Sequence, residues 1–284
     1  MAVSPRRSAV VAVLLLLGGC SAVGWELPNY GFYGYVPKPD GTRLQRTSAV
    51  ERFVPIGADS VTRGAEGLLV IDSVLHEGAP AWLLTRTHPA RGGGEIVDSV
   101  WLEYWELRTL ASVRHANAER LKLRFDRRAV DIERTAANGK VSRRRMLHEA
   151  ESYGLLGIDL VLAGMPLAEG RGGALPVVTA RGNEMRWFRY QVIAKDSEAR
   201  PSTVGGVVFR VVWIIEVDFD GRRSRYWIAD DDRSVLRREE ALERELAWRV
   251  TRERAVPLID VAPVERLPVA GPARAGQPKV LGRP

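Results

Sequence analysis

Cys20 is the single cysteine of the 284-residue chain, and it follows an apolar run and two glycines in Leu17-Gly18-Gly19-Cys20-Ser21. A lone thiol there can form a thioether, and it has no second cysteine for an intramolecular disulfide. The four histidines, His76, His88, His115 and His148, are scattered with no pair at ligand spacing, so neither a zinc site nor another cofactor is expected. There is no Gly-x-Ser-x-Gly elbow. Gly92-Gly93-Gly94 lacks the Lys-Ser/Thr of a phosphate loop and reads as a flexible connection. Asp230-Asp231-Asp232 lacks the spaced ligands of a calcium loop and reads as a hairpin turn. Any acid–base pair would be drawn from Asp72, Asp98, Glu103 and Asp159. Nothing in their spacing brings two together, and most of them read as solvated. These residues point away from an enzyme.

The surroundings of Cys20 follow a three-part export plan. Arg6 and Arg7 form a positive start, and Ala9 to Leu17 an apolar run. A bilayer span needs about 20 apolar residues, so this run reads as a signal segment. Leu17 to Cys20 resembles the lipobox of bacterial lipoproteins. The resemblance implies a diacylglycerol on the Cys20 thiol, cleavage before it, and usually N-acylation. Each buried CH₂ of such chains contributes about 0.8 kcal/mol, so two or three chains hold firmly. Ser21, where Asp would favour inner-membrane retention, makes the periplasmic face of the outer membrane the expected address. Residues 1–19 are then signal, 20–45 a Gly-, Pro- and Tyr-rich tether, 46–254 the folded domain and 255–284 a disordered Pro-rich tail.

Formal charge is +7, and removing residues 1–19 takes away only Arg6 and Arg7, which leaves +5. Arginines spread along the chain and alternate with apolar residues, the pattern of a solvated sheet face and not of a nucleic-acid stripe. A basic chain on a lipid anchor suits anionic head groups.

The elements are mostly strands. Leu68–His76 and Ala81–His88 flank the turn Glu77-Gly78-Ala79-Pro80. Leu121, Leu123 and Phe125 alternate with Arg120, Lys122 and Arg124. Asn138-Gly139 predicts a tight turn. Tyr153 to Ala163 predicts a short buried helix with Ser152 as its N-cap. Phe188, Tyr190, Val192 and Ala194 predict one strand face. Val207, Phe209, Val211, Trp213, Ile215, Val217 and Phe219 make the strongest face of all. Consecutive hairpins then give an antiparallel meander. The fold expected is mainly β, a curved antiparallel half-barrel around one short helix.

Three segments carry a wider resemblance: Ala163 to Gly170, Gly172 to Pro176, and Tyr226 to Arg238. Over residues 60 to 240 the chain is similar to the domain-of-unknown-function 3108 group of periplasmic β-proteins, related to the LolA/LolB lipoprotein carriers. The resemblance implies a half-barrel with an apolar concave face, which in the carriers holds acyl chains, and no fixed catalytic residues. The candidate ligand-lining residues are Trp101, Trp105, Phe209, Trp213 and Ile215. Trp101 and Trp105, four apart, share a face in a strand or a helix. The sequence leaves open whether the apolar face closes on a core or around a ligand. The expected function is a non-catalytic binding or carrier module for a lipid or other apolar ligand. The alternative is a structural or accessory outer-membrane lipoprotein working through protein contacts. Metabolic labelling with a fatty-acid analogue should tag the chain, and Cys20→Ser should abolish the label and leave the signal segment uncleaved; label surviving in that variant rules out Cys20 as the attachment point.

Overall fold

A computed structural model describes residues 37–55, 65–90, 94–148, 151–179, 181–182, 184–201, 206–242 and 246–254. Cys20, the signal segment, the tail 255–284 and most of the tether lie outside them. Among the described residues there are fifteen strands. The first eight are β1 (Thr47–Pro55), β2 (Ala65–His76), β3 (Ala79–Pro89), β4 (Glu95–Glu103), β5 (Thr109–Ala116), β6 (Glu119–Phe125), β7 (Ala129–Thr135) and β8 (Val141–Leu147). After them come β9 (Tyr153–Gly154), a 3-10 turn Leu155–Gly157, and the helix α1 (Ile158–Gly164). The remaining strands are β10 (Gly172–Val178), β11 (Met185–Pro201), β12 (Val207–Phe219), β13 (Arg222–Ala229), β14 (Val235–Leu242) and β15 (Leu246–Arg254).

All fifteen form one sheet, ordered β8 to β1 and then β15 down to β9. The first and last strands therefore pair at its middle, Glu51 opposite Arg252. Every ladder is antiparallel except β9 on β10. The sheet is open and mainly β, with one short helix, as the alternating pattern predicts. Glu77 (φ 51°) and Gly78 (φ 86°) make a two-residue turn with both torsions positive, the form whose twist matches the flanking strands.

The sheet curls until its two limbs meet without a ladder. The Gly154 amide of β9 donates to Thr109 Oγ1 of β5 at 2.8 Å. Val178 of β10 packs with Leu123, Val130 and Ile132 of β6 and β7. The strands β6–β8 run on past the contact between β5 and β9.

Inside the curl α1 is buried at all seven positions, which is what an all-round apolar segment requires. The expected helix is shorter than its pattern. Tyr153 and Gly154 are taken by the parallel pairing with Val177 and Val178, and the helix starts at Ile158 behind Gly157. Ser152 is no cap: it is buried with its hydroxyl 3.4 Å from His148 Nε2. A Cβ on Gly157 would lie 3.1 Å from Val100 Cγ1, so glycine lets this turn settle on β4.

Two other expectations are corrected by bulges. An irregularity between Val192 and Ala194 pairs Val192 with the core residue Ile215 but Ala194 with Ile214. An extra residue reverses the facing of everything after it, so Ala194 leaves the face of Phe188, Tyr190 and Val192. A second irregularity follows Trp101, and Trp105 lies in a turn beyond the end of β4, so the two tryptophans do not share a regular strand face.

Part of the expected tether belongs to the packed body. The Asp40 amide donates to Gly164 O (2.9 Å) and the Gly41 amide to Trp105 O (2.7 Å). A Cβ on Gly41 would fall 1.9 Å from the Tyr104 carbonyl oxygen. Gly41→Ala should therefore lower stability by about 1–3 kcal/mol, read from the urea midpoint; an unchanged midpoint would show that this segment does not clamp the helix end.

Candidate functional site

The inner wall of the sheet carries a belt of charges. The register places Glu51 of β1 and Arg252 of β15 opposite each other, and Arg86 of β3 in line with Asp98 of β4 and Arg114 of β5. Asp159, the one charge of α1, points into the same layer. Arg86 Nε lies 2.9 Å from Glu51 Oε2, and its Nη2 donates to Asp159 Oδ2 at 2.5 Å. Arg252 Nε donates to Glu51 Oε1 at 2.8 Å and its Nη2 to Asp159 Oδ2 at 2.6 Å. Its Nη1 donates to Val235 O at 3.1 Å. Two carboxylates and two guanidiniums thus close a neutral ring. Next to it, Arg238 Nε stands 3.1 Å from Glu240 Oε1.

Burial by itself would raise both carboxyls of the ring. The surrounding guanidiniums outweigh it. Arg86, Arg252 and Arg238 hold Glu51 at about 2 and keep Asp159 well below the usual carboxylate range. Asp98 follows the same logic: burial raises it, while bidentate hydrogen bonds from Arg114 (2.7 Å each) and His88 at 3.4 Å bring it to about 2. These carboxylates stay ionised at neutral pH, so they serve as charge partners and not as proton donors. Among the described residues no group of three or more His, Cys, Asp or Glu is placed to hold a metal ion.

Of the four acids, most of which are expected in solvent, Asp98 and Asp159 are 2% and 1% exposed. Asp72 does lie at the surface, paired with Arg46 at 2.5 Å, and Glu103 accepts the Glu106 amide at 2.6 Å. Sequence reasoning missed Glu51, Arg86 and Arg252 altogether. Their signal was present: Arg86 shares parity with the core residues Trp82 and Leu84, and Arg252 with Val250.

The ring opens toward one mouth of the curled sheet, where Arg252 borders a cleft of about 80 Å³. Leu44, Leu69, Ile71 and Leu160 give it an apolar wall, and Arg210 and Arg233 its rim. Arg210 is engaged by Asp231 and by Asp232 at 2.8 Å. Burial, with Arg43 nearby, pushes the Arg233 guanidinium down, and its buried Nη1 has no hydrogen-bond partner. Ligand pockets for drug-sized molecules begin at about 300 Å³, so this cleft holds no more than a small group.

The five expected ligand-lining residues do not line this cleft. The Trp101 ring lies 5.4 Å from that of His76, tilted by 32°, and the exposed Trp105 meets the Tyr104 ring edge-on at 4.9 Å. Ile215 is fully buried in the main core. Trp213 sits at its margin, with Nε1 donating to Asp230 Oδ1 at 2.6 Å and the Lys195 ammonium 4.5 Å from its ring. Phe209 is 70% exposed. The long apolar face of β12 is therefore divided. Trp213, Ile215, Val217 and Phe219 join the core, and Val207, Phe209 and Val211 run out of it into solvent.

No family model matches the sequence, and no curated protein matches it. One solved structure similar to this chain is a β-barrel-like protein of domain of unknown function DUF1849 from Brucella abortus. The identity is 10% and the TM-score 0.43, over 75% of this chain and 97% of that one.

Removing one member of the ring leaves a buried charge unpaired, so Asp159→Asn should cost about 3–5 kcal/mol in chemical unfolding. Because the folded pKa of Glu51 lies below its ordinary 4.5, its contribution is complete above that pH and is lost as pH falls toward about 2. The parent should lose stability steeply across that window and Asp159→Asn less steeply; parallel profiles would remove the ring from the account of acid stability.

Proposed function

We propose that this chain is a lipid-anchored, non-catalytic module of the bacterial cell envelope that binds a lipid or other apolar ligand at the mouth of the curled sheet. The periplasmic face of the outer membrane is the favoured address, and the resemblance to the periplasmic β-proteins related to the LolA/LolB carriers belongs to the same proposal. One observation carries it. Val207, Phe209 and Val211 form an apolar lip at 62%, 70% and 47% exposure, on the strand side that enters the core at Trp213. Contiguous exposed apolar surface on a soluble domain marks an interaction site. Arg210, between Phe209 and Val211 in sequence but on the opposite face of β12, lines the cleft at the mouth. An amphiphile can lay its apolar part along the lip and bring a small anionic group toward Arg233. The interior is filled by α1 and the core around it, so the reading places the ligand on the lip and not inside the curl.

The same lip supports a second reading, an accessory lipoprotein that docks a partner protein there. Native mass spectrometry of protein extracted from membranes separates the two. On the first reading an amphiphile co-purifies with the parent and is lost from Phe209→Asp with Val211→Asp, at unchanged melting temperature. A photo-cross-linker at position 209 that captures a reproducible protein and no lipid moves the assignment to the second.

A further inference from the structure

Between Glu119 and Leu147 there are ten arginines and lysines against four acids, so this short stretch holds +6 of the chain's +7. It is the arm β6–β8. The register sorts its outward side chains into rows, with Lys122, Glu133 and Arg143 in one and Arg124, Asp131 and Arg145 in the next. They border an open concavity of about 430 Å³. The acids are already taken: Glu119 by Arg134 at 2.7 Å, Glu133 by Arg143 at 2.8 Å, and Asp126 and Asp131 by Arg145 at 3.5 and 3.4 Å. Among the described residues no ion pair reaches Arg120, Lys122, Arg127, Arg128 or Lys140. The half-buried Glu133 reports the resulting field. The hydrogen bond and charge of Arg143, with Lys122 and Arg120 behind them, hold its carboxyl below the usual range.

Charges on an edge strand commonly prevent edge-to-edge pairing, and β8 is an edge. That accounts for Arg143 and Arg145. It does not account for their neighbours on the same side of β8, Val141 and Leu147, which stand 48% and 77% exposed. Exposed aliphatics bracketing exposed arginines match the chemistry of a bilayer interface, where guanidiniums meet phosphates and aliphatic groups enter the acyl boundary. A single-stranded nucleic-acid surface would instead interleave aromatic rings for stacking, and none lies among the outward residues of this arm.

We propose that the outward face of β6–β8 is a membrane-docking surface for anionic phospholipid head groups, with Arg143 and Arg145 at the phosphates and Val141 and Leu147 at the acyl boundary. The surface is separate from the lip on β12 and does not depend on it.

Vesicle co-sedimentation of the mature chain, residues 20–284 carrying Cys20→Ser, which has neither signal segment nor acyl chain to contribute, tests this. The chain should pellet with vesicles of phosphatidylglycerol and phosphatidylethanolamine, not with phosphatidylcholine, and should be released by about 0.5 M salt, where exposed charges are screened. R143Q with R145Q should weaken the association about 30-fold at about 1 kcal/mol per cation. V141S with L147S should weaken it several-fold and leave its salt dependence intact. The same pattern in a Phe209→Asp background shows that the lip is not responsible. Equal pelleting with phosphatidylcholine would overturn the proposal. So would unchanged pelleting of a normally melting R143Q/R145Q chain, or capture of soluble polyphosphate by a chain that pellets with no vesicle.

Discussion

Glu51, Arg86, Asp159 and Arg252 meet where the first strand of the sheet pairs with the last, and the placement of the other elements depends on that meeting. Glu51 and Arg252 are 201 positions apart in sequence, yet they share a hydrogen bond of 2.8 Å. Asp159 brings the helix to the same point, through 2.5 and 2.6 Å contacts to the two arginines. None of these charges is tolerable alone in a dry interior. Taken together they are neutral, but Glu51 Oε2, Arg86 Nε and Asp159 Oδ1 make no hydrogen bond, so the arrangement is costly to leave rather than strongly stabilising to make. Its value is specificity: β1, β3, β15 and α1 have one mutual arrangement that pairs every charge.

The ring also divides the interior. On one side of it α1 covers an apolar wall in which Phe188, Tyr190 and Ile215 are buried. On the other the inner wall turns polar, with Asp98 and Arg114 held at 2.7 Å. The curl is thus filled by its own helix and its own ion pairs. What remains apolar and unfilled is displaced to the mouth, where β12 outruns the core. The 13-residue strand is longer than the seven-residue helix that fills the core. At about 3.4 Å per strand residue against 1.5 Å per helix residue, the difference in length is large.

Two surfaces of contrasting character follow from an open sheet. The apolar lip lies at the mouth. The basic arm lies past the line where β9 meets β5, and there β6–β8 have core contacts on one face alone. Closing the ladder would have buried the β8 edge. Leaving it open exposes a charged strand within residues 119–147, the stretch that holds +6 of the chain's +7.

The sequence alone determined the local features: a mainly β chain, the hairpin at Glu77-Gly78, the Asn138-Gly139 and Asp230-Asp232 turns, and a buried apolar helix before Pro166. Each depends on neighbouring residues, through backbone torsion preference or period. Three things needed the tertiary structure. The helix start was decided by a strand pairing across 24 residues, Tyr153 with Val177, which no local period reports. The facing of Ala194 was decided by one bulge, because a single extra residue reverses a period of two. The ring was hidden because alternation assigns every charge to solvent, while Arg86 and Glu51 stand on the buried side of their strands. A charge at a core position is legible as an anomaly in the sequence. Its partners come from strands and a helix far along the chain, so only the folded sheet could say what neutralises it.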